Sequence, residues 1–563
     1  MRHTAELHRQ SPLELPGLTH IRWLVVVLAL VAPAAASGQT AGSVPPDVGD
    51  IHEVSPASPL GGRKSTPRQV IALARTVPKI AAELRRHPGA EPRVYAGGTD
   101  EWRVVFNDGD REIAQVTLAD AGPRVTEAWT GIQVSWRMAR GYEGAFGRRA
   151  ASLPVWLALL LAFVLPFLRP PWRWLHVDLA VLASFSISLA FFSHAMVHAS
   201  IPLAYPPLAY LLVRLLVIAR KPDPPPPVRL LLSPDALLIG IVFLIGLRVG
   251  LQITSSNVID VGYAGVIGAD HITHGHAIYG AFPADNSRGD TYGPFNYLAY
   301  VPFELIWPWH GVWDDLPAGH AAAATFDLLC AGGLFLVGRR LRGQDFGFLL
   351  TYLWLACPFT LFVANSGAND ALVGLLVLGA LALGPAARGA SLAAAVLTKF
   401  APLGLLPLLV RSRRSALAGL AVVAALLAFV AVLDGGLGEF FDRTLGFQLD
   451  RKSPFSLWGL YHLPLLQHVV QAAGGVLILA LALRRDRTPV SVAAATAASL
   501  VAIQLGMSHW FYLYLGWVLP VALIALVAPY VAVRSSGSIE LARPPSPQRI
   551  TTPMSHGSSS AAS

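Results

Sequence analysis

ALLIGIVFLIGLRVGLQITSSNVIDVGYAGVIGADHITHGHAIYG, residues 236–280, decides the fold class. An apolar block over 236–253 has nearly the ~20 residues needed to cross the hydrocarbon of a bilayer. It opens into a polar stretch carrying Asp260, Asp270, His271, His274 and His276. Such a block ends at a membrane surface, so Asp260, a few residues beyond Ile253, is expected at the level of lipid headgroups. The pattern repeats along the chain. Similar blocks occur near 153–168, 177–195, 201–219, 319–338, 345–363, 368–384, 415–433, 466–483, 491–507 and 510–533. The chain is 54% hydrophobic and 14% charged, against roughly 25% charged for ordinary soluble domains, so the apolar excess needs a bilayer. The expected fold class is an all-α polytopic membrane protein of about eleven transmembrane helices, with a small exported α+β domain.

A net charge of +9 raises the possibility of nucleic acid, but the arginines punctuate the gaps between apolar blocks and form no basic face, so no nucleic-acid partner is expected. Arg169 and Arg173; Arg220, Lys221 and Arg229; Arg339, Arg340 and Arg342; Arg411, Arg413 and Arg414; and Arg484, Arg485 and Arg487 fall in alternate gaps, which the positive-inside rule reads as cytoplasmic. That alternation requires Phe295 to Trp309 to lie at the interface without crossing. It also requires residues 389–410 to dip in and return as a broken re-entrant hairpin around Lys399 and Pro402. Cys330 and Cys357 lie inside apolar blocks, so neither a disulfide framework nor a Cys-based metal site is indicated.

At the front, residues 1–38 combine arginines with a short apolar run and read as a signal peptide or anchor, followed by a linker over 39–67. Residues 68–150 turn soluble: a helix over Gln69 to Arg86, then alternating runs in Glu101 to Asn107, Glu112 to Leu118 and Val125 to Trp136. Three front helices (151–220), a Pro-rich cytoplasmic linker (221–235), the main membrane domain (236–533) and a disordered cytoplasmic tail (534–563) complete the expected order. Residues 39–152 and the loop after 253 are expected on the extracytoplasmic side of a cell membrane.

Asp260 is the candidate general base. A helix through 262–269 would hold Asp260 and Asp270 about 15 Å apart, and only a bend at Gly265 or Gly268 would join them. His274 and His276 are two residues apart and do not share a helix face, so a solvated loop accounts for the three histidines. Lys399, a cation inside an apolar block, is expected to meet a phosphate or, alternatively, to snorkel to the interface. Arg288, Arg451 and Lys452 lie in outer loops, against the charge trend, and are expected to be either secondary phosphate ligands or plain solvated charge. Asn369 and Asp370 are expected to cap the helix that follows them. His462 and His509 sit among aromatics that form either an interfacial belt or a surface for stacking on sugars.

The carboxylate beyond a membrane helix, then Tyr263, Tyr279, Tyr292-Gly293-Pro294 and Pro302, resembles the first outer loop of polyprenyl-phosphate-sugar-dependent transferases of the GT-C fold, in particular the glycosyltransferase 87 type, which includes mannosyltransferases of actinobacterial lipids. NSGAND (365–370), GASLAAAVLTKFAPLGLLPLLV (389–410), SPFSLWGLYHLP (453–464) and SHWFYLYLGWVLP (508–520) extend the resemblance over about 236–533. RVVFNDGDREIAQVTLADAGPRVTEAWTG (103–131) resembles a PepSY-like module, a regulatory or binding element. The resemblance implies an inverting glycosyltransferase that takes a hexose or pentose, mannose favoured, from a polyprenyl-phosphate donor to a lipid or glycan acceptor among the membrane lipids. Asp260 and Asp270 would be catalytic; Lys399, Arg288 and Arg451 would hold the donor phosphate; Tyr263, Tyr279, Tyr292, Asn369, Asp370, His462 and His509 would bind substrate. No cofactor is certain, and a site for Mg²⁺ or Mn²⁺ has no diagnostic spacing. The alternative is a transporter or flippase of a lipid-linked or polar substrate.

Overall fold

The computed structural model describes residues 51–55, 62–97, 100–122, 124–141, 146–220, 225–485 and 487–531. The expected signal segment, most of the first linker, the start of the Pro-rich linker and the tail lie outside these residues.

The front domain is α+β. The expected single helix is two, Pro67–Thr76 and Pro78–Arg86, because Pro78 has no N–H to continue the first helix. Five antiparallel strands follow one another across one sheet in sequence order: β1 (Ile51–Val54), β2 (Glu91–Gly97), β3 (Glu101–Asp108), β4 (Arg111–Ala119) and β5 (Arg124–Thr130). The third alternating run was expected to reach Trp136, but the strand ends at Thr130. A positive-φ Gly131 then turns the chain into the short helix Ile132–Ser135. Val70, Ile80, Trp102, Val104, Phe106 and Val116 form a separate small core between helices and sheet.

The rest is helical and multi-pass. All eleven apolar blocks contain helix. Among the described residues eight helices are long and apolar enough to cross a membrane, or nine if one bent pair counts as a span, against the eleven spans expected. The bent pair, Gln344–Ala356 and Pro358–Asn365, turns by 59° where Pro358 interrupts the backbone ladder. Leu153–Phe167 and Asp370–Ala382 are shorter apolar helices. Residues 294–304 form two helical pieces, Pro294–Leu298 and Val301–Glu304, too short to cross. In the 389–410 region the helix Pro385–Val396 stops, the chain breaks at 397–400, and Ala401–Leu405 and Leu406–Leu409 follow.

Hydrogen bonds join the arginine-rich helix ends at one end of the bundle. Arg342 donates to the Val531 carbonyl, Arg484 to that of Ala219, Arg411 to that of Ala482 (2.7 Å) and Arg487 to that of Leu408 (3.1 Å). At the other end the Asn257 and Ile259 N–H groups donate to Asn365 and Ser366 carbonyls, and Trp510 N–H to Phe455. The front helices are built into this bundle. The Tyr512 hydroxyl sits between Ser188 (2.7 Å) and Ser200 (2.8 Å), and Arg214 bridges Asp178 (2.8 Å) to the Tyr530 hydroxyl (2.7 Å).

Arg248 and Asp327, charges of opposite sign inside two spans, form a buried pair at the bend. Arg248 donates to both Asp327 oxygens (2.8 and 2.7 Å), to the Thr360 hydroxyl (2.6 Å) and to the carbonyls of Trp354 and Leu355 in the last helical turn before Pro358. Removing one partner of a buried pair strands the other, at a cost of about 3–5 kcal/mol. Arg248→Met is therefore expected to lower the thermal unfolding midpoint of the detergent-solubilised protein sharply. Arg248→Met with Asp327→Leu is expected to recover most of the loss, and no recovery would show that the bend itself fails without the guanidinium.

Candidate active site

Two helix N-termini and one chain break converge at the arginine-poor end. Asp260 opens the helix Asp260–His274, and Asp370 opens Asp370–Ala382. The starts of both helices are locked together by the Ile259–Ser366 backbone bond (3.1 Å) and by Gly262, whose missing side chain leaves room for the Gly367 carbonyl. Gly367 itself has φ 61° and lies against Val258, a position and a conformation that exclude a Cβ. The break at 397–400 meets the Tyr292-Gly293-Pro294 turn through Phe295 N–H donating to the Leu397 carbonyl (3.0 Å). The close approach of Gly293 to the same carbonyl permits this contact. Motifs about a hundred residues apart thereby become one wall.

Lys399 lies at the centre. Its ammonium donates to Asp370 Oδ1 (2.7 Å), which also accepts from Trp517 Nε1 (2.6 Å). It is ringed by Tyr292, Tyr514 and Trp517, whose ring centres lie 5.6, 5.6 and 5.4 Å away. This contradicts both the capping role expected of Asn369 and Asp370 and the snorkelling alternative for Lys399. Neither side chain caps the helix: Asp370 is the counter-ion of Lys399, and Asn369 donates through Nδ2 to Asn296 Oδ1. Asp370 Oδ2, Asn369 Oδ1 and Asn296 Nδ2 are buried without protein partners. The Asp370–Ala382 helix has 13 residues, about 20 Å, and is shorter than the ~30 Å hydrocarbon of a bilayer.

Asp260 faces this pair from the mouth. Its Oδ1 accepts from Val261 N–H (2.9 Å), and its carboxylate feels the charges of Arg451, Lys399 and Asp370. The residue is solvent-accessible, yet protein surrounds its carboxyl group. That desolvation raises its pKa above the ordinary value, against the opposing pull of the Val261 N–H, Arg451 and Lys399. Arg451 lies beside the Tyr514 hydroxyl, and its Nε has no protein partner. His509 is buried, with Nδ1 2.8 Å from the Ser453 hydroxyl. Burial, with Arg451 and Lys399 nearby, keeps its pKa well below the ordinary value, so it is neutral near pH 7. The front domain closes one side: Trp136 packs on Phe455 (5.4 Å) and His509 (6.2 Å).

The structure separates other expected members from this cluster. Asp270 lies at the far end of an unbroken helix from Asp260 and pairs with His274 (3.1 Å). Gly265 and Gly268 do not bend that helix; they seat it on the rings of Tyr300 and Tyr297. His462 is exposed at a positive-φ corner. Arg288 sits at the rim, over the same Phe447 ring that Arg451 faces. Tyr263 and Tyr279 are buried supports: Tyr263 donates to Asp285 (3.0 Å) and Tyr279 to the Tyr292 carbonyl (3.0 Å). Among the described residues no three His, Cys, Asp or Glu side chains group closely enough to hold a metal. Trp517, Asn296, Ser453 and Trp136 were not anticipated as site residues. The spacing of Tyr514 and Trp517, three residues apart and so on one helical face, was the available signal for Trp517.

The structure is thus a multi-pass helical protein in which a carboxylate, Asp260, and a buried ion pair, Lys399 with Asp370, come together at one end of the bundle. Residues 291–508 match glycosyltransferase family 87, so the chain carries a glycosyltransferase family 87 domain and is a membrane glycosyltransferase. No curated protein and no solved structure matches it. The matched stretch includes Tyr292, Asn369, Asp370, Lys399 and Arg451; Asp260 precedes it, and His509 and Trp517 follow it.

Lys399→Met would leave Asp370 buried with Trp517 as its sole donor. It is expected to destabilise the protein by about 3–5 kcal/mol, measured by thermal unfolding, whereas Lys399→Met with Asp370→Asn is expected to regain much of that without regaining activity.

Proposed function

We propose that this protein transfers a hexose or pentose, mannose favoured, from a polyprenyl-phosphate carrier to a lipid or cell-envelope glycan acceptor on the extracytoplasmic face, with inversion at the anomeric carbon. The observation that carries the reading is an accessible carboxylate, Asp260, facing two cations, Lys399 and Arg451, in a recess below the lipid surface. A long-chain lipid phosphate reaches such a recess from within the bilayer.

In the reaction the acceptor oxygen attacks the anomeric carbon as the bond from that carbon to the phosphate oxygen breaks. The acceptor proton passes to Asp260, and the electron pair of the broken bond leaves on the lipid phosphate. Arg451, whose Nε has no protein partner, binds that developing charge directly. Lys399 is fixed by Asp370, so it contributes a positioned field and holds the aromatic wall for the sugar. Neutral His509 and the orphaned amide groups of Asn369 and Asn296 offer hydrogen bonds to sugar hydroxyls. Arg288 gathers the anionic donor at the rim. The front domain, PepSY-like in its strand pattern, covers the recess through Trp136 and sets acceptor access.

The test is transfer by the purified protein in lipid nanodiscs from a panel of labelled polyprenyl-phosphate sugars. Asp260→Asn is expected to lower turnover about 10²- to 10⁴-fold with its thermal stability retained. Bound donor that crosses the bilayer unconsumed would replace transfer by transport.

The raised Asp260 pKa sets a pH dependence. The base must be ionised, so kcat/KM is expected to fall as pH drops through a midpoint above the ~3.9 of an ordinary aspartate. A pH profile without that acid limb would remove Asp260 from the role.

A further inference from the structure

At the arginine-rich end, opposite the Asp260 recess, a cavity of about 400 Å³ is lined by Arg340, Arg388, Arg411, Arg487 and Thr488. Its other wall is apolar, with Leu341, Leu381, Leu409 and Val492. The helices Pro317–Arg342, Asp370–Ala382 and Pro385–Val396 run between the two ends. Arg340 and Ala382 close the first two at the cavity, and the third starts beside it.

The positive charge here is held in place by helix carbonyls. Arg388 donates to the Ala380 (3.1 Å) and Leu383 (3.3 Å) carbonyls, Arg411 to Ala482 (2.7 Å), and Arg487 to Leu408 (3.1 Å), Leu481 (3.2 Å) and Ala482 (2.6 Å). Those bonds fix three guanidinium groups without neutralising them. Among the described residues none of the four arginines pairs with a carboxylate. Burial and the like charges of Arg411 and Arg484 press the Arg487 pKa below its ordinary value. The 18-residue helix Pro489–Gly506 also begins at this cavity, adding the positive end of its dipole. Leu336, Leu383 and Leu406, close in sequence to lining residues, are exposed large apolar side chains in helices or their caps, a surface suited to hydrocarbon chains.

We propose that this cavity binds the phosphate headgroup of an anionic membrane phospholipid, with the acyl chains along the neighbouring apolar helix surface. A basic pocket between helix ends joins the two chemistries that such a lipid carries: a phosphate for the guanidinium groups, and hydrocarbon for the exposed leucines. Free phosphate shares only the first. The site is separate from the reaction chamber and does not depend on the transfer chemistry proposed for it.

The experiment is native mass spectrometry of the full chain released from micelles, titrated in turn with phosphatidylglycerol, phosphatidylcholine and inorganic phosphate. Saturable phosphatidylglycerol binding is expected, with phosphatidylcholine and inorganic phosphate at least about tenfold weaker. Arg340→Gln with Arg411→Gln is expected to weaken phosphatidylglycerol about tenfold or more, and Arg340→Lys with Arg411→Lys to hold it within about threefold. Equal binding of the two lipids, inorganic phosphate as tight as the lipid, or a folded glutamine variant with unchanged affinity would each overturn the proposal. If the glutamine variant does not fold, the comparison of ligands on the wild-type protein still decides.

Discussion

The ion pair between Lys399 and Asp370 is the contact on which the arrangement of the chamber depends. A lysine within the membrane is costly, at about 2.5–3.5 kcal/mol on insertion scales, unless a partner meets it. That partner comes from the first residue of another helix, so the break at 397–400 and the start of Asp370–Ala382 must meet. Once they meet, Tyr292, Tyr514 and Trp517 close around the ammonium. Asp260 is then brought opposite through the backbone bond between Ile259 and Ser366.

The short helices follow from the same constraint. A full-length span at 370–382 would carry its first residue to the membrane surface, and a continuous helix through 385–409 would leave no break for Lys399 to occupy. Ending both early leaves room for the polar cluster around Lys399 while each helix still satisfies its own backbone. The bent pair solves a related problem nearby. Pro358 ends the first helix of the pair, and Arg248, neutralised by Asp327, binds carbonyls of that helix's last turn. Charged groups in this membrane domain thus serve as joints between helices where the backbone ladder is interrupted.

The two ends of the bundle differ in chemistry. One presents a carboxylate, aromatics and a few cations around a recess. The other gathers arginines on helix carbonyls around a basic cavity. A donor phosphate at the first end and a phospholipid headgroup at the second would both be met by guanidinium groups. Arg451 has an unpartnered Nε and stands beside carboxylates, whereas Arg388, Arg411 and Arg487 are anchored to carbonyls and, among the described residues, pair with no carboxylate.

By itself the sequence determined the helical, membrane-embedded class, the positions of the apolar blocks and the small α+β front domain. Those depend on local hydrophobicity and strand alternation, which are readable residue by residue. It also marked Asp260, Lys399, Tyr292, Asp370, Arg451 and His509 as residues of interest, because charge and polarity beside apolar blocks stand out. Only the tertiary structure decided which of the apolar blocks, among the described residues, are single long helices: eight are, one is a pair bent at Pro358, and two are shorter helices. It also decided that Asp370 pairs with Lys399, that Asp270 stands apart from Asp260, and that Trp136 of the front domain reaches His509. These are contacts between segments far apart in sequence, fixed by how helix ends converge, and no local pattern encodes them.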